Sequence, residues 1–173
     1  MRITIKCSLM ILWFFINHVT ASAQTKSEMF FEIGNYLSIS GDFKSAIMSY
    51  DSAINLNSKY KEAYYFRGMA YQELEEFNRA IGDFNKAIEL DSDYLDVYIS
   101  NAICKNKIKD YQGALIDYDN AIRLDSSNAD SYKSRELIKL ILNDKNGACS
   151  DFKKAKDNYY STDIDELIKK HCK

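Results

Sequence analysis

Histidine and cysteine are the side chains best suited to metal binding or covalent chemistry, and both are scarce in this sequence. The 173 residues include two histidines, His18 near the start and His171 near the end. One histidine beyond the first 23 residues is too few for a histidine-based catalytic triad, an HExxH zinc site or a site with several histidine ligands. The six glycines are scattered singly and form no phosphate-binding loop. The sequence therefore predicts neither an enzyme nor a bound metal or cofactor.

Three cysteines follow residue 23, Cys104, Cys149 and Cys172, and they allow three different disulfide pairs. Redox catalysis usually requires a CxxC pair or a neighbouring group that activates the thiol, and His171 beside Cys172 is the single candidate. A thiol oxidoreductase is therefore the weakest of the functions considered. Cys104 lies next to Ile103 in an apolar stretch, where a free thiol behaves as a small apolar side chain.

Four carboxylates recur at a spacing of 34 residues: Glu28, Glu62, Asp96 and Asp130. Each stands near the start of a predicted helix, where the helix dipole stabilises an acidic side chain. This structural role is favoured over a catalytic pair of acids. The same spacing organises the rest of the chain.

The stretch of residues 61–94 recurs once upstream and twice downstream. Its apolar residues fall at helical spacings in two runs, separated by a polar break at Glu75 and Glu76, which predicts a helical hairpin. When the four copies are aligned at this spacing, each shared position forms a column. Two columns are aromatic in all four copies: Phe30, Tyr64, Tyr98 and Tyr132, and Tyr50, Phe84, Tyr118 and Phe152. Two columns are alanine in all four copies: Ala46, Ala80, Ala114 and Ala148, and Ala53, Ala87, Ala121 and Ala155. Such hairpins cannot bury their apolar faces alone, so the copies must stack.

Polar residues interrupt the apolar columns in the last two copies. The third copy carries Asn101 where the first two carry Ile33 and Arg67, and Lys105 where they carry Leu37 and Tyr71. We expect a solvated edge at this position, and a polar patch for a partner is the alternative. The fourth copy places Glu136 in a column that otherwise holds small residues, as expected for a terminal repeat with one face in water.

The pattern resembles the tetratricopeptide repeat, a family of 34-residue helix-turn-helix units, over residues 27 to about 160. Serine replaces the family's usual proline after the second helix, at Ser58, Ser92 and Ser126. The resemblance implies an all-α, right-handed α-solenoid. Its predicted parts are hairpins at 27–60, 61–94, 95–128 and a degenerate 129–162, followed by a capping helix at 163–173. Ser27 is predicted to cap the first helix.

The capping helix is expected to fold back on the fourth hairpin through an apolar stripe of Ile164, Leu167 and Ile168. This would bring Cys172 towards Cys149 on the last full helix, so a Cys149–Cys172 disulfide is favoured over free thiols. The segment that begins at Gly147 and ends in Cys172 also resembles the C-terminal ends of exported bacterial proteins of this family.

Residues 1–23 have the pattern of a secretory signal peptide, with a basic start, an apolar run and Ala21, Ser22 and Ala23 before the expected cleavage point. An uncleaved anchor is the alternative, although Asn17 and His18 interrupt the apolar run early. Cleavage would remove two of 23 basic residues and none of the 25 acidic ones, leaving a formal charge of −4. This balance argues against a nucleic-acid partner, and no transmembrane segment would remain. We predict export, to the bacterial periplasm or envelope.

The resemblance implies a concave groove lined by the first helix of each hairpin. The expected groove residues are Phe31, Asn35, Tyr65, Met69, Ile99, Ile103, Lys133 and Leu137. The alternative is that these side chains pack against neighbouring helices. The family's clamp for a C-terminal carboxylate is disfavoured, because Phe31, Asp96 and Ser100 replace its basic residues.

The predicted function is an exported module that binds a peptide or protein partner in this groove. A structural scaffold subunit of an envelope assembly complex is the alternative.

Overall fold

The computed structural model describes residues 24–158 and 162–172, and this part of the chain contains helices and no strands. The helices are α1 (24–39), α2 (Phe43–Leu56), α3 (Lys61–Glu73), α4 (Phe77–Leu90), α5 (Leu95–Lys107), α6 (Tyr111–Leu124), α7 (Ala129–Ile141), α8 (Lys145–Asn158) and α9 (Thr162–His171). From α2 onward each helix packs on the next, and α9 packs on α8. The predicted all-α helical-repeat solenoid is confirmed. The signal-peptide prediction concerns residues 1–23, which lie outside the described part.

Two positions after the end of each first helix stands a residue in the left-handed backbone region, and these residues are 34 positions apart. Gly41 has a φ of 84°, and Glu75, Lys109 and Asn143 have φ values of 59°, 65° and 63°. A residue of this conformation ends a helix and turns the chain back. Acidic caps then begin the next helix at Asp42, Asp110 and Asp144, each accepting a backbone N–H bond three residues on.

The alanine and aromatic columns form the core. All eight column alanines are fully buried, and Tyr50, Phe84, Tyr118 and Phe152 are almost so. A Cβ atom on Gly34 would lie 2.5 Å from Cε1 of Tyr50, and one on Gly68 would lie 2.7 Å from Cε1 of Phe84. The rings therefore pack directly on bare backbone, which explains the small column of the first two copies.

The predicted capping role of Ser27 is wrong. This residue lies inside α1, is fully buried, and its Oγ donates a hydrogen bond of 3.0 Å to the carbonyl oxygen of Ala53. The contact joins α1 to α2 instead of ending a helix.

Helix α9 folds back on the fourth hairpin. Leu167, Ile168 and Cys172 pack against the buried cluster that contains Tyr132 and Phe152. The sulfur atoms of Cys149 and Cys172 form a disulfide, with the two Cα atoms 5.6 Å apart. The side chain of Ile164, which the predicted stripe includes, lies outside the described residues.

Candidate partner-binding groove

The eight predicted groove residues lie in pairs on the four first helices, α1, α3, α5 and α7. Leu137 is exposed, and six others are half-buried: Asn35, Tyr65, Met69, Ile99, Ile103 and Lys133. Phe31 differs, because only 8% of it is exposed. Its side chain packs against the next hairpin, as the alternative for these residues predicted, so Phe31 belongs to the core and not to an open surface.

Phe31 is the first member of an aromatic row, which we define as Phe31, Tyr60, Phe66, Tyr65 and Tyr94. The ring centroid of Phe31 lies 4.9 Å from that of Tyr60 and 5.5 Å from that of Phe66. Tyr65 lies 5.1 Å from both Phe66 and Tyr94. Tilted and edge-on pairs at these distances stabilise the packing by about 0.5–1.5 kcal/mol each beyond burial. The row therefore fixes the junction of the first three hairpins.

Carboxylates surround this row. Burial raises the pKa of Tyr60, and the charges of Glu62, Glu28 and Glu32 raise it further. Burial raises the pKa of Tyr94 to about 12, with contributions from Tyr65 and from acids that include Glu62 and Asp96. Charged carboxylates therefore act on the hydroxyl groups at Tyr60 and Tyr94 in this row.

Lys61 is the basic side chain that contacts the acids of this region. Its Nζ lies 2.6 Å from Oδ2 of Asp91 and 3.8 Å from Oε1 of Glu62, and 5.6 Å from the ring centroid of Tyr94. The closer partner is Asp91, so Glu62 is only weakly compensated. The ring of Tyr94 therefore already makes a cation–π contact within the chain, with Lys61.

A cavity of about 280 Å³ opens at the N-terminal end of the row. Its lining residues are Asn35, Ser38, Ile39, Tyr50 and Phe66. The hydroxyl of Tyr50 donates a hydrogen bond of 3.0 Å to Oδ1 of Asn35, which orients the amide of Asn35 at the cavity wall. Ile39 is 88% exposed. The side chains of Ile39, Tyr50 and Phe66 make the lining mostly apolar, and the amide of Asn35 is its oriented polar group.

Polar clusters link successive hairpins, and they are not among the contacts predicted from the sequence. Arg67 on α3 donates to both carboxylate oxygens of Asp83 on α4, with Nε 2.7 Å from Oδ2, and to Asp51 on α2. Two repeat periods further on, Arg135 on α7 makes the equivalent bonds to Asp151 and Asp119. The cluster therefore recurs with the repeat, and polar columns at the spacing of 34 residues were its signal in the sequence.

The third copy contains the same link in a different form, and this corrects the expectation for Asn101 and Lys105. Asn101 is fully buried, and its Nδ2 donates a hydrogen bond of 3.0 Å to Oδ1 of Asn85. Lys105 reaches the buried Asp117, with Nζ 2.7 Å from Oδ2. The position is neither a solvated edge nor an open patch for a partner, because both side chains bind within the chain.

Glu136 is also fully buried, in contrast to the solvent-facing position expected for it. Its carboxylate oxygens have no hydrogen-bond partner among the residues that the structure describes. Burial raises the pKa of Glu136 to about 8, the charge of Asp151 adds to the rise, and Lys133 opposes it. The group therefore favours its neutral form in the folded protein.

Cys104 is buried and free, and its Sγ donates a hydrogen bond of 3.2 Å to Oε1 of Gln72. Burial raises the pKa of this thiol to about 12, which disfavours the reactive thiolate. Across residues 24–158 and 162–172, no group of three or more histidine, cysteine or acidic residues is placed to hold a metal ion. Over the same part of the chain, no helix combines the length and apolar character needed to cross a membrane.

Two stretches of the chain match family models for the tetratricopeptide repeat, at residues 27–60 and 62–94. No curated protein matches the chain significantly. A crystal structure of MamA is similar at 22% identity, over 77% of this chain and 73% of that one, with a TM-score of 0.75.

Two other solved structures match this chain over almost their whole length. The TPR domain of Arabidopsis OM64 is 25% identical over 68% of this chain and 97% of that one, with a TM-score of 0.65. The first TPR of Spaghetti (RPAP3), bound to the HSP90 peptide SRMEEVD, is 23% identical over 69% and 94%, with a TM-score of 0.67. Residues 27–94 therefore consist of tetratricopeptide repeats, and the similarity to the solved structures shows that the chain has the solenoid fold of this family.

Proposed function

We propose that this chain is an exported, non-catalytic module that holds a peptide or protein segment on the surface of its first helices in the cell envelope. Tetratricopeptide repeats form protein–protein interaction modules, which supports the binding role. One structural neighbour, the first TPR of RPAP3, is bound to a peptide.

One observation carries the proposal, a strip of accessible apolar side chains that crosses three successive hairpins. Its members are Tyr65 and Met69 on α3, Ile99 and Ile103 on α5, and Leu137 on α7. The hydroxyl of Ser100 donates to the sulfur of Met69 at 3.5 Å, which ties α3 to α5 beneath the strip. An apolar surface that stays accessible on a folded chain usually marks a contact site.

Two features support export. The first is the signal-peptide pattern of residues 1–23. The second is the Cys149–Cys172 disulfide, because such bonds persist in oxidising compartments such as the bacterial periplasm. N-terminal sequencing of the protein purified from its host tests this part, and Gln24 is the expected first residue.

The binding role is tested by replacing two side chains of the strip with alanine. The double variant Tyr65→Ala, Met69→Ala should capture less partner from envelope extract, by about 2 kcal/mol or more in affinity if these residues are hot spots. The matched control is Met48→Ala, Ile116→Ala, which removes two exposed apolar side chains from the second helices α2 and α6. Thermal unfolding of each variant shows whether it is folded. Unchanged capture by a folded strip variant would refute this location of the site.

A scaffold subunit of an envelope complex is the second candidate, and one face of α1 favours it. Met29, Ile33 and Tyr36 are exposed there. The residues 34 positions after Met29 and Tyr36, Ala63 and Ala70, are fully buried. The preceding hairpin packs at this place in later copies, so the exposed face of α1 corresponds to a face of α3 that packs on its neighbours. A stable complex that Tyr36→Glu disrupts, while the strip variant does not, would favour the scaffold.

A further inference from the structure

We propose that the N-terminal end of the groove recognises a peptide segment in which a large apolar side chain stands within two positions of a lysine or arginine. The apolar side chain enters the cavity beside Asn35, and the cation meets Glu28, Glu32, Glu62 and Asp96 over the aromatic row. This inference rests on the proposed function and specifies the chemistry of its partner.

The cavity sets the size of the apolar group. Its volume of about 280 Å³ lies just below the range of about 300–1,000 Å³ for small-molecule pockets. It can hold one large side chain, while the rest of the ligand must lie outside. Ile39, 88% exposed, and Phe66 provide apolar walls, and the oriented amide of Asn35 provides one polar contact.

The cavity and the aromatic row are continuous. Phe66 lines the cavity and also lies within 5.5 Å of Phe31 and 5.1 Å of Tyr65, measured between ring centroids. Glu32 acts electrostatically on Tyr50 in the cavity wall and on Tyr60 in the row. A cation one or two residues from the seated side chain would therefore face Glu32.

The acids of this end come from three different helices. Glu28 and Glu32 lie on α1, Glu62 on α3 and Asp96 on α5. Glu28, Glu32 and Asp96 are exposed, and Lys61, the cation that contacts Glu62, binds Asp91 more closely. The position of Lys61 near the ring of Tyr94 is an example within the chain of the cation–aromatic contact expected for the ligand.

An acidic ligand such as SRMEEVD is disfavoured at this end. Phe31 is buried, and Asp96 places a negative charge where an acidic peptide would require a positive one. Charge complementarity decides which partner associates and in which orientation. The partner chemistry is thus opposite in sign to that of the peptide bound by RPAP3.

Selection from a display library of random linear heptapeptides tests the inference, with the chain lacking residues 1–23 as bait. The selected peptides should carry lysine or arginine within two positions of Phe, Trp, Leu or Ile.

A synthetic, amidated copy of one of them should bind about fivefold more weakly to Glu32→Lys and less than about twofold more weakly to Asp130→Lys. Asp130 is the matched control because it is exposed, lies in the first turn of α7 and gives the same charge change. Ile39→Ser removes an apolar wall of the cavity without adding a charge and should also weaken binding, and raising the salt from about 0.05 M to about 0.3 M should do the same.

The outcomes separate this inference from the proposed function. Selected peptides whose binding requires Tyr65 and Met69 but which lack basic residues would overturn the inferred preference for a cation. They would leave the proposed peptide-binding function in place. Basic peptides unaffected by both Glu32→Lys and Ile39→Ser would overturn the inference as well, as would tighter binding of SRMEEVD than of the selected peptide. If the wild-type chain selects nothing beyond the Tyr65→Ala, Met69→Ala variant, the groove proposal fails and the inference fails with it.

Discussion

At the scale of single residues, the buried carboxyl group of Glu136 links protonation to stability. The column that it occupies holds Gly34, Gly68 and Ala102 in the other copies, so a long polar side chain stands where the chain otherwise leaves space for a ring. Ionising an unpartnered carboxyl group in such a position is unfavourable, and the group keeps its proton at pH values where an exposed glutamate loses it.

We predict that the stability of the protein falls as the pH rises from about 4.5 to about 8 through this group. The folded pKa of Glu136, about 8, exceeds its ordinary value of 4.5, so the folded state binds more protons within this window. Below the window both states are protonated and the contribution is fully present. A tenfold difference in proton affinity between the folded and unfolded states corresponds to about 1.4 kcal/mol of stability.

Urea unfolding between pH 5 and pH 9, on the wild type and on Glu136→Gln, measures this effect. The glutamine cannot ionise, so the fall in stability across the window should be smaller in the variant. Parallel stability curves for the two proteins would contradict the prediction.

Arg67 offers a second prediction at this scale. Arg67→Ala would leave Asp83, whose side chain is 9% exposed, as an unpaired buried charge, and breaking such a pair costs about 3–5 kcal/mol. Chemical unfolding should show this loss, whereas the control Lys86→Ala removes an exposed pair with Glu89 and should change stability by under about 1 kcal/mol. Adding Asp83→Ala to Arg67→Ala should recover part of the loss. Equal effects of Arg67→Ala and Lys86→Ala would show that the cluster does not stabilise the fold.

At the scale of the helices, the four left-handed residues between first and second helices are not equivalent. Glycine adopts this backbone conformation without steric cost, but for other residues it costs about 1 kcal/mol or more. Glu75→Gly should therefore raise the free energy of unfolding by about 1 kcal/mol, and Gly41→Ala should lower it by a similar amount. Urea titrations of the two variants provide the measurement. Destabilisation by Glu75→Gly would mean that the side chain of Glu75 contributes more than its backbone strain costs.

The helices were easier to predict from the sequence than the contacts between them. The alanine and aromatic columns predicted stacked hairpins, because close helix packing leaves room only for alanine at two points in each copy. The link from Asp51 through Arg67 to Asp83 was not predicted because it spans three helices and involves neither an apolar nor a small column. The burial of Phe31 was predicted only as the alternative, because two of the rings that contact it, Tyr60 and Phe66, lie beyond the two helices of its own hairpin.

At the scale of the whole molecule, the two ends of the solenoid differ. Helix α9 covers the last hairpin, with His171 stacked on Phe152 at 6.4 Å between ring centroids. The face of α1 that carries Met29 and Tyr36 is exposed. Stacking of copies end to end would need two uncovered ends, and α9 occupies one of them. Among the described residues, the exposed face of α1 can receive a further hairpin-like partner, and this is where the scaffold alternative places its contact.

The last prediction concerns the disulfide that anchors α9. It closes a loop between residues 23 positions apart, and the chain-entropy treatment gives a stabilisation of about 3 kcal/mol for a loop of this size. Cys149→Ser, Cys172→Ser should therefore lower the free energy of unfolding by roughly this amount, and hydrogen exchange should accelerate first in α9. Cys104→Ala is the control, since it alters a buried thiol on α5 and leaves the tail linked. A double-serine variant as stable as the wild type, with unchanged exchange in α9, would mean that packing of Leu167 and Ile168 alone holds the helix in place.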